Sequence, residues 1–220
     1  MQGFLWRVGA GITLIAALWG AVSCQSGPQG GWLVYSGPVE VSARAGESIP
    51  GTDLRYLGRT EQGAEVLIGD QKAIRKAGDS LDYQGEPAQG VRMELALRVA
   101  WYDAETLHAV GTVELAVRDP RPQSMPIATE SPLRYAVPIM YWVERGEAIP
   151  GTTITYQGKS EQGAQLGGVE GYPYRKAADS ILWEGRLREN VWLKLDGRTG
   201  LFDDDRLQVL GLATVWVDLP

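Results

Sequence analysis

Residues 91–102 read VRMELALRVAWY, and this stretch decides the fold class. Apolar side chains occupy every second position: Val91, Met93, Leu95, Leu97, Val99 and Trp101. Because neighbours on a strand point to opposite faces, strict alternation predicts a half-buried β-strand. The next residues, DAE at 103–105, predict a turn, and LHAVGTVELAV at 107–117 alternates again. The sequence therefore predicts a long antiparallel hairpin.

The same hairpin recurs 100 residues further along the chain. The repeated phrases are VWLKLDGRTGLF, DDD and LQVLGLATVWV for the hairpin, GESIPGT at 46–52 and GEAIPGT at 146–152, EQGA at 61–64 and 161–164, and RKAGDS at 75–80 and RKAADS at 175–180. Roughly a third of the positions in 33–120 match the residue 100 positions on, whereas ordinary composition gives about one in sixteen. The chain therefore reads as an internal duplication.

The duplication predicts an all-β protein made of two tandem homologous small domains. We place the first copy at 33–117, a Pro- and Ser-rich linker at 118–132 and the second copy at 133–220. Several short strands separated by Gly-rich turns favour an antiparallel β-barrel or β-sandwich in each copy. The phrase IPGT, with Pro second and Gly third, predicts a type II turn in both copies.

The N-terminus has the pattern of an export signal. A short head with Arg7 precedes the apolar run VGAGITLIAALWGAV, which has the length of a signal-peptide core, and AVSC follows. This resembles the signal of bacterial lipoproteins, although Ala21 stands where that family usually has Leu. The resemblance implies a signal peptide at 1–23, acylation of Cys24 and a flexible tether at 24–32. Ordinary cleavage after Ser23 and an uncleaved anchor remain alternatives.

Composition limits the classes of function. The formal net charge of −6 and the lack of a basic cluster argue against nucleic-acid binding, which needs an excess of Lys and Arg. One Cys and one His exclude a disulfide within the chain and disfavour a Cys/His zinc site, so we predict no bound metal. The sequence also has no phosphate-binding or dinucleotide fingerprint, and we predict no cofactor.

The phrase RKAxDS is a candidate structural motif. It sets Arg75 near Asp79 in the first copy and Arg175 near Asp179 in the second. We expect an ion pair that fixes a loop, together with side-chain hydrogen bonds to the backbone. The alternative is catalytic, because a Lys beside a Ser can activate a nucleophile. Presence in both copies favours the structural interpretation.

Two further candidates have ordinary explanations. His108 has no counterpart, since position 208 is Gln, and its place in the alternation predicts an exposed strand residue. The run DDD at 203–205 could bind calcium, but it lacks the spaced oxygens and Gly of a calcium loop. A solvated hairpin turn is the better interpretation.

The second copy has aromatic residues where the first has none. They are Trp142, Tyr172, Tyr174, Trp192 and Trp216, in place of Ser42, Lys72, Ile74, Arg92 and Ala116. A three-residue turn at 203–205 sets Phe202 opposite Arg206 and Trp192 directly opposite Trp216, on the face that is polar in the first copy. The same register opposes Glu94 to Glu114. The aromatic group could be covered by the first domain or the linker, contact a partner protein, or stack on a sugar.

These observations predict an exported, membrane-anchored envelope lipoprotein that acts as a non-catalytic binding or scaffolding module. Its partners would be the lipid bilayer, through Cys24, and a protein or glycan of the envelope. One alternative is a carbohydrate- or small-ligand-binding module that uses the aromatic residues of the second copy. Another is a hydrolase that uses acidic residues, which requires two carboxylates about 5–10 Å apart in a cleft.

Overall fold

The structure is a computed structural model and describes residues 30–220, so the predictions for the signal peptide and for Cys24 lie outside it. The described residues form strands and no helix. The strands are β1 (Trp32–Arg44), β2 (Leu54–Arg59), β3 (Ala64–Ile68), β4 (Gln71–Arg75), β5 (Tyr83–Ala88), β6 (Val91–Tyr102), β7 (Thr106–Arg118), β8 (Gln123–Ser124), β9 (Arg134–Glu144), β10 (Thr155–Ser160), β11 (Gly163–Gly167), β12 (Tyr174–Arg175), β13 (Ser180–Arg188), β14 (Val191–Phe202) and β15 (Arg206–Val217).

The strands form four antiparallel sheets. The first half of the chain has a sheet of order β1-β7-β6-β5 and a smaller sheet β2-β3-β4. The second half has a sheet of order β8-β13-β14-β15-β9 and a smaller sheet β10-β11-β12. The all-β prediction is confirmed. The β-barrel alternative is wrong for the described part of the chain, because the first and last strands of each sheet do not pair with each other.

The long hairpins follow the predicted alternation. Along β6 the side chains from Val91 to Val99 are buried and exposed in turn, as a strand with one face on a core requires. Val91 pairs with Val117 and Val191 with Val217, so both hairpins share one register. Near the turn both hairpins depart from the prediction. In the first, an irregularity beyond Val99 leaves Trp101 49% exposed, although the alternation grouped it with the buried residues. In the second, an irregularity beyond Thr199 pairs Phe202 with Leu207 rather than with Arg206.

Both IPGT phrases form the predicted type II turn. The amide of Thr52 donates to the carbonyl of Ile49 at 3.0 Å, and Gly51 has a φ of 77°. In the second half Thr152 donates to Ile149 at 3.0 Å, and Gly151 has a φ of 78°. Gly is required at the third position, because an L side chain is disfavoured at positive φ.

A tyrosine ties each small sheet to the tip of the long hairpin. The hydroxyl of Tyr56 donates to the carbonyl of Asp103, and that of Tyr156 donates to the carbonyl of Asp203. The Asp203 carboxylate accepts from the amides of Arg206 and Asp205 at 2.9 and 3.0 Å. These donors lower the pKa of Asp203, because they stabilise its charged form. The DDD segment is therefore a hydrogen-bonded hairpin turn.

The two halves pack together where β1 passes β9. A side chain at Gly37 would lie 3.0 Å from Cδ of Pro138 and 3.1 Å from Cβ of Val137, so the two backbones approach closely. Buried residues of both halves belong to one continuous hydrophobic cluster. A cluster shared in this way predicts that the halves unfold together.

Exchanged contacts flank this crossing. A Cβ on Gly51 would lie 2.8 Å from Cδ2 of Leu133, and a Cβ on Gly151 would lie 3.0 Å from Cδ2 of Leu33. The added atom on Gly151 would also collide with the buried Tyr35 hydroxyl, which has no hydrogen-bond partner among the described residues. The Gly of each half thus contacts the Leu of the other half, as equivalent residues do across a two-fold interface.

The segment 118–132 is held along the second half. Its residues Gln123 and Ser124 form β8, which adds to the edge of β13. Further on, the Ser131 hydroxyl bonds to the carbonyl of Val217. Arg188 reaches back from the second half and donates to the carbonyl of Arg118 at 2.6 Å.

Gly151→Ala is expected to lower the free energy of unfolding by about 2–4 kcal/mol, because it combines positive-φ strain with overpacking between the halves. Gly146→Ala is the matched control, since Gly146 has a φ of 86° and open space around it. The control should lose only about 1–2 kcal/mol. Urea denaturation measures both, and equal losses would show that the contact between the halves contributes nothing.

Candidate functional site

A cleft of about 1060 Å³ opens in the second half, between β12 and the edge of β13. Its walls combine aromatic, apolar and charged side chains. They include Met125, Pro126, Ile154, Gln162, Leu166, Glu170, Tyr172, Tyr174, Arg175, Lys176, Asp179, Ser180, Leu182, Trp183, Glu184 and Lys194. A concave site of this size with polar groups among apolar ones is typical of ligand binding.

The cleft exists because the smaller sheet of the second half is cut short. In the first half β3 and β4 pair over five residues, whereas β11 and β12 pair over two, at Ala164–Arg175 and Gln165–Tyr174. The sequence explains the difference: GGVEGYPY at 167–174 replaces LIGDQKAI at 67–74, and Pro173 cannot donate a ladder hydrogen bond. Three apolar residues of the cleft, Ile154, Leu166 and Ile181, correspond to Leu54, Val66 and Leu81 of the first half. There the three residues line a separate small cavity of about 10 Å³ together with Ala43, Ile49 and Leu107.

Two tyrosines on the shortened segment form one wall. Tyr172 is 64% exposed and meets Tyr174 edge to face, with ring centroids 5.4 Å apart. The Tyr172 hydroxyl donates to Oε1 of Gln162 at 3.1 Å. Arg175 Nη1 donates to the carbonyls of both tyrosines, which fixes the backbone that carries them. Of the five predicted aromatic residues, these two line the cleft.

Trp183 lines the cleft beside them, and the sequence interpretation overlooked it. Its indole is buried and donates from Nε1 to Oγ1 of Thr153 at 3.0 Å. The signal was present in the sequence, because the first copy has Tyr83 at this place. A comparison that looks only for aromatic residues gained in the second copy passes over a position that is aromatic in both copies.

The charges around the cleft balance. Glu170, Asp179 and Glu184 oppose Arg175, Lys176 and Lys194. Glu184 and Lys194 face each other directly across β13 and β14. A site without net charge suits a neutral polar ligand better than an anion or a cation.

The RKAxDS motif lies at one side of this cleft. In both halves the Asp carboxylate accepts the Lys amide at 2.7 Å, and the Arg Nε donates to the Ser carbonyl at 3.0 Å. The predicted ion pairs Arg75–Asp79 and Arg175–Asp179 are wrong, because each guanidinium instead bonds to backbone carbonyls. Arg198 Nη1 donates to the Ser180 hydroxyl at 2.7 Å. A guanidinium stays protonated and cannot serve as the base that a Ser nucleophile needs, which disfavours the catalytic alternative.

Trp192 and Trp216 pair across the ladder as predicted. Trp192 lies outside the common core yet is only 8% exposed. Its Nε1 donates to Oδ2 of Asp218 at 3.1 Å, and Asp218 also accepts from Thr129 of the linker. Arg134 lies over the Trp216 ring, with Cζ 5.2 Å from its centroid. Trp192 is therefore covered, whereas Trp216 is half-buried beneath Arg134.

Trp142 lies apart from both groups. It is 40% exposed and pairs with Gln208 across β9 and β15. The guanidinium of Arg206 lies over its ring, with Cζ 4.7 Å from the centroid. The five predicted aromatic residues thus occupy three separate places. Only the tyrosines share a concave surface.

His108 and the acidic pair of the first half lie on the outer face of their sheet. The His108 ring stacks on Trp101 with centroids 3.8 Å apart, and its Nδ1 lies 3.8 Å from Glu40. Glu94 and Glu114 face each other directly across β6 and β7, as the register required. Residues 30–220 bring together no group of three or more His, Cys, Asp or Glu side chains that could hold a metal ion.

No protein-family model, curated protein or solved structure matches the chain. Within residues 30–220 the structure has no helix of the length and hydropathy that crossing a membrane requires. The candidate site therefore depends on its own geometry.

Trp192→Ala should lower the free energy of unfolding by about 3–5 kcal/mol, because it leaves a large void and removes the partner of Asp218. Trp142→Ala, at a more exposed position on the same sheet, should change it by about 0.5 kcal/mol. Thermal and urea denaturation of the two variants give the comparison. A Trp192 variant as stable as wild type would contradict the covered position of this indole.

Proposed function

We propose that this protein is an exported, membrane-anchored lipoprotein that acts as a non-catalytic binding module, and that the cleft of the second half holds its ligand. The observation that carries the proposal is the cleft itself, which opens where the second half has lost most of one strand pairing. In the first half the equivalent strands pair over five residues. The difference is what a binding site added to a common framework would produce.

The ligand we favour is a neutral carbohydrate. Tyr172 presents an exposed ring on which a sugar can stack, as aromatic faces do in many binding sites. Gln162, Glu184 and Lys194 supply hydrogen-bond donors and acceptors for hydroxyl groups. The balanced charge fits a ligand with many hydroxyls and no net charge.

We propose further that the two halves are copies of one small sandwich domain at 33–117 and 133–220, joined by the linker 118–132. The matching strand order, the two IPGT turns and the two tyrosine ties support this interpretation. In this arrangement the first copy supports the second, and it presents the second copy's cleft from the anchored end of the chain. An arrangement in which one copy supports and the other binds is also compatible with a scaffolding function.

The hydrolase alternative receives less support from the geometry. Asp179 accepts the amide of Lys176 and so belongs to the loop that it fixes. Ser180 meets a guanidinium instead of an amine base. These contacts favour a cleft that binds over one that cleaves.

Changing Tyr172 and Tyr174 together to Ala should abolish binding to the glycans that wild-type protein selects on an array, with a loss of at least about tenfold. Stability should stay within about 1 kcal/mol, because both rings are partly exposed. Trp101→Ala is the control, since Trp101 is an exposed aromatic residue of the first half. Retained glycan binding in the double variant would refute the site. Binding of wild type to an envelope protein alone would favour scaffolding.

The anchor predicts a separate result. Cys24→Ala in the full chain should leave the protein unprocessed or soluble, whereas the native form should partition into detergent and resist N-terminal sequencing. Mass spectrometry of the native N-terminus reads the acyl chains directly. A soluble native protein that begins at another residue would show that the lipoprotein signal is misread.

A further inference from the structure

We propose that the end of the sheets where β1 begins is a docking surface for the phosphate headgroups of the membrane, and that it sets the orientation of the protein on the bilayer. We call this the entry end. It comprises Trp32, the turn at 89–90 with Arg92 at the start of β6, and the end of β7 at Arg118. The proposal rests on the lipid anchor proposed above.

An aromatic residue and two arginines form the centre of the entry end. Two guanidinium groups lie within cation–π distance of the Trp32 ring, with Cζ of Arg92 at 4.8 Å and Cζ of Arg118 at 4.6 Å from its centroid. Both arginines are exposed. No ion pair joins either guanidinium to a carboxylate of residues 30–220. Both charges therefore remain available to an outside partner.

This combination of groups fits the membrane–water boundary. Trp is enriched at the level of the lipid headgroups, because its ring is apolar and its N–H is polar. Arg is always charged, and its planar fork of donors matches a phosphate. A headgroup phosphate would meet the guanidinium groups while the indole rests against the glycerol and upper acyl region.

The chain itself leads this surface to the membrane. Cys24 is eight residues before Trp32, so an acyl group on Cys24 can be at most about 28 Å from Trp32 along the chain. Arg121 and Arg134 are exposed near the same end. Acidic residues are close to this pair of arginines: Oδ1 of Asp119 lies beside Gly31, and Glu94 and Glu114 follow Arg92 on the same exposed face. The end as a whole has no excess of positive charge, so attraction to a phosphate is confined to the two guanidinium groups at Trp32.

The opposite end has the reverse character. The long strands run about 40 Å from the entry end to the hairpin turns. Those turns carry Asp103 and Glu105 in the first half and three aspartates at 203–205 in the second. An anionic surface would attract the two guanidinium groups at Trp32 and repel the acidic turns, which favours strands that stand along the membrane normal. The cleft then faces sideways, clear of the bilayer.

Hydroxyl-radical footprinting of the full acylated chain in vesicles tests this orientation. The vesicles are phosphatidylcholine alone, or phosphatidylcholine mixed with phosphatidylglycerol. We expect oxidation of Trp32 to fall several-fold only with phosphatidylglycerol, and to recover in high salt, which screens the attraction. Trp101, 49% exposed near the hairpin turns, is the control in the same sample and should stay reactive.

Charge variants sharpen the test. Arg92→Gln with Arg118→Gln should lower the ratio of docked to undocked protein about 25-fold, at about fivefold for each charge. Arg44→Gln with Arg59→Gln removes two exposed charges near the other end and should leave Trp32 protected. Inorganic phosphate added to phosphatidylcholine vesicles should not protect Trp32. Protection by phosphate alone would assign the site to a soluble anion and overturn membrane docking.

Flotation separates the two proposals. A protein that floats with phosphatidylcholine vesicles has its anchor, whatever Trp32 does. If it floats and Trp32 is equally reactive on both kinds of vesicle, the docking surface is refuted and the anchor stands. If it fails to float, the anchor is refuted, and the docking surface that rests on it is refuted too.

Discussion

The close passage of β1 against β9 is the constraint on which the rest of the structure depends. Each strand is the last of its sheet, and an unpaired edge is a liability unless something covers it. Here the two edges cover each other. Gly37 makes the approach possible, because any side chain there would press on Pro138 and Val137. The second half has Val137 at the equivalent place, so one Gly faces one larger side chain and the gap is filled.

Because β1 and β9 cover each other, the exposed edges of the two large sheets lie on their opposite sides. At the opposite sides of the two large sheets lie β5 and, beyond the two-residue strand β8, the long strand β13. Pro87 lies in β5, where a residue without an N–H discourages further pairing. The linker covers part of β13 by adding β8, and the cleft opens along the part that stays uncovered. The candidate site is thus a consequence of the sheet order together with one shortened strand.

Sequence reasoning predicted what depends on local pattern. Alternation predicted the long hairpins, and IPGT predicted both turns, because these follow from backbone chemistry within a few residues. It predicted that Trp192 meets Trp216 and gave covering by the linker as one alternative. It did not identify Asp218 and Thr129 as the residues that hold Trp192, since that depends on the path of the linker. Sequence reasoning did not predict the cleft either. Pro173 and its neighbouring glycines were visible in the sequence, but only the structure shows which strand would have filled the space.

The hydrophobic core that the two halves share is the claim that an experiment can test most directly. Because β1 and β9 join the buried side chains of both halves, the two halves should lose structure together. Urea denaturation of the full chain, followed by far-ultraviolet circular dichroism and by tryptophan fluorescence, measures this cooperativity. A single transition with coincident curves is the expected result. Two resolved transitions, one for each half, would contradict the shared core and the edge-to-edge contact that creates it.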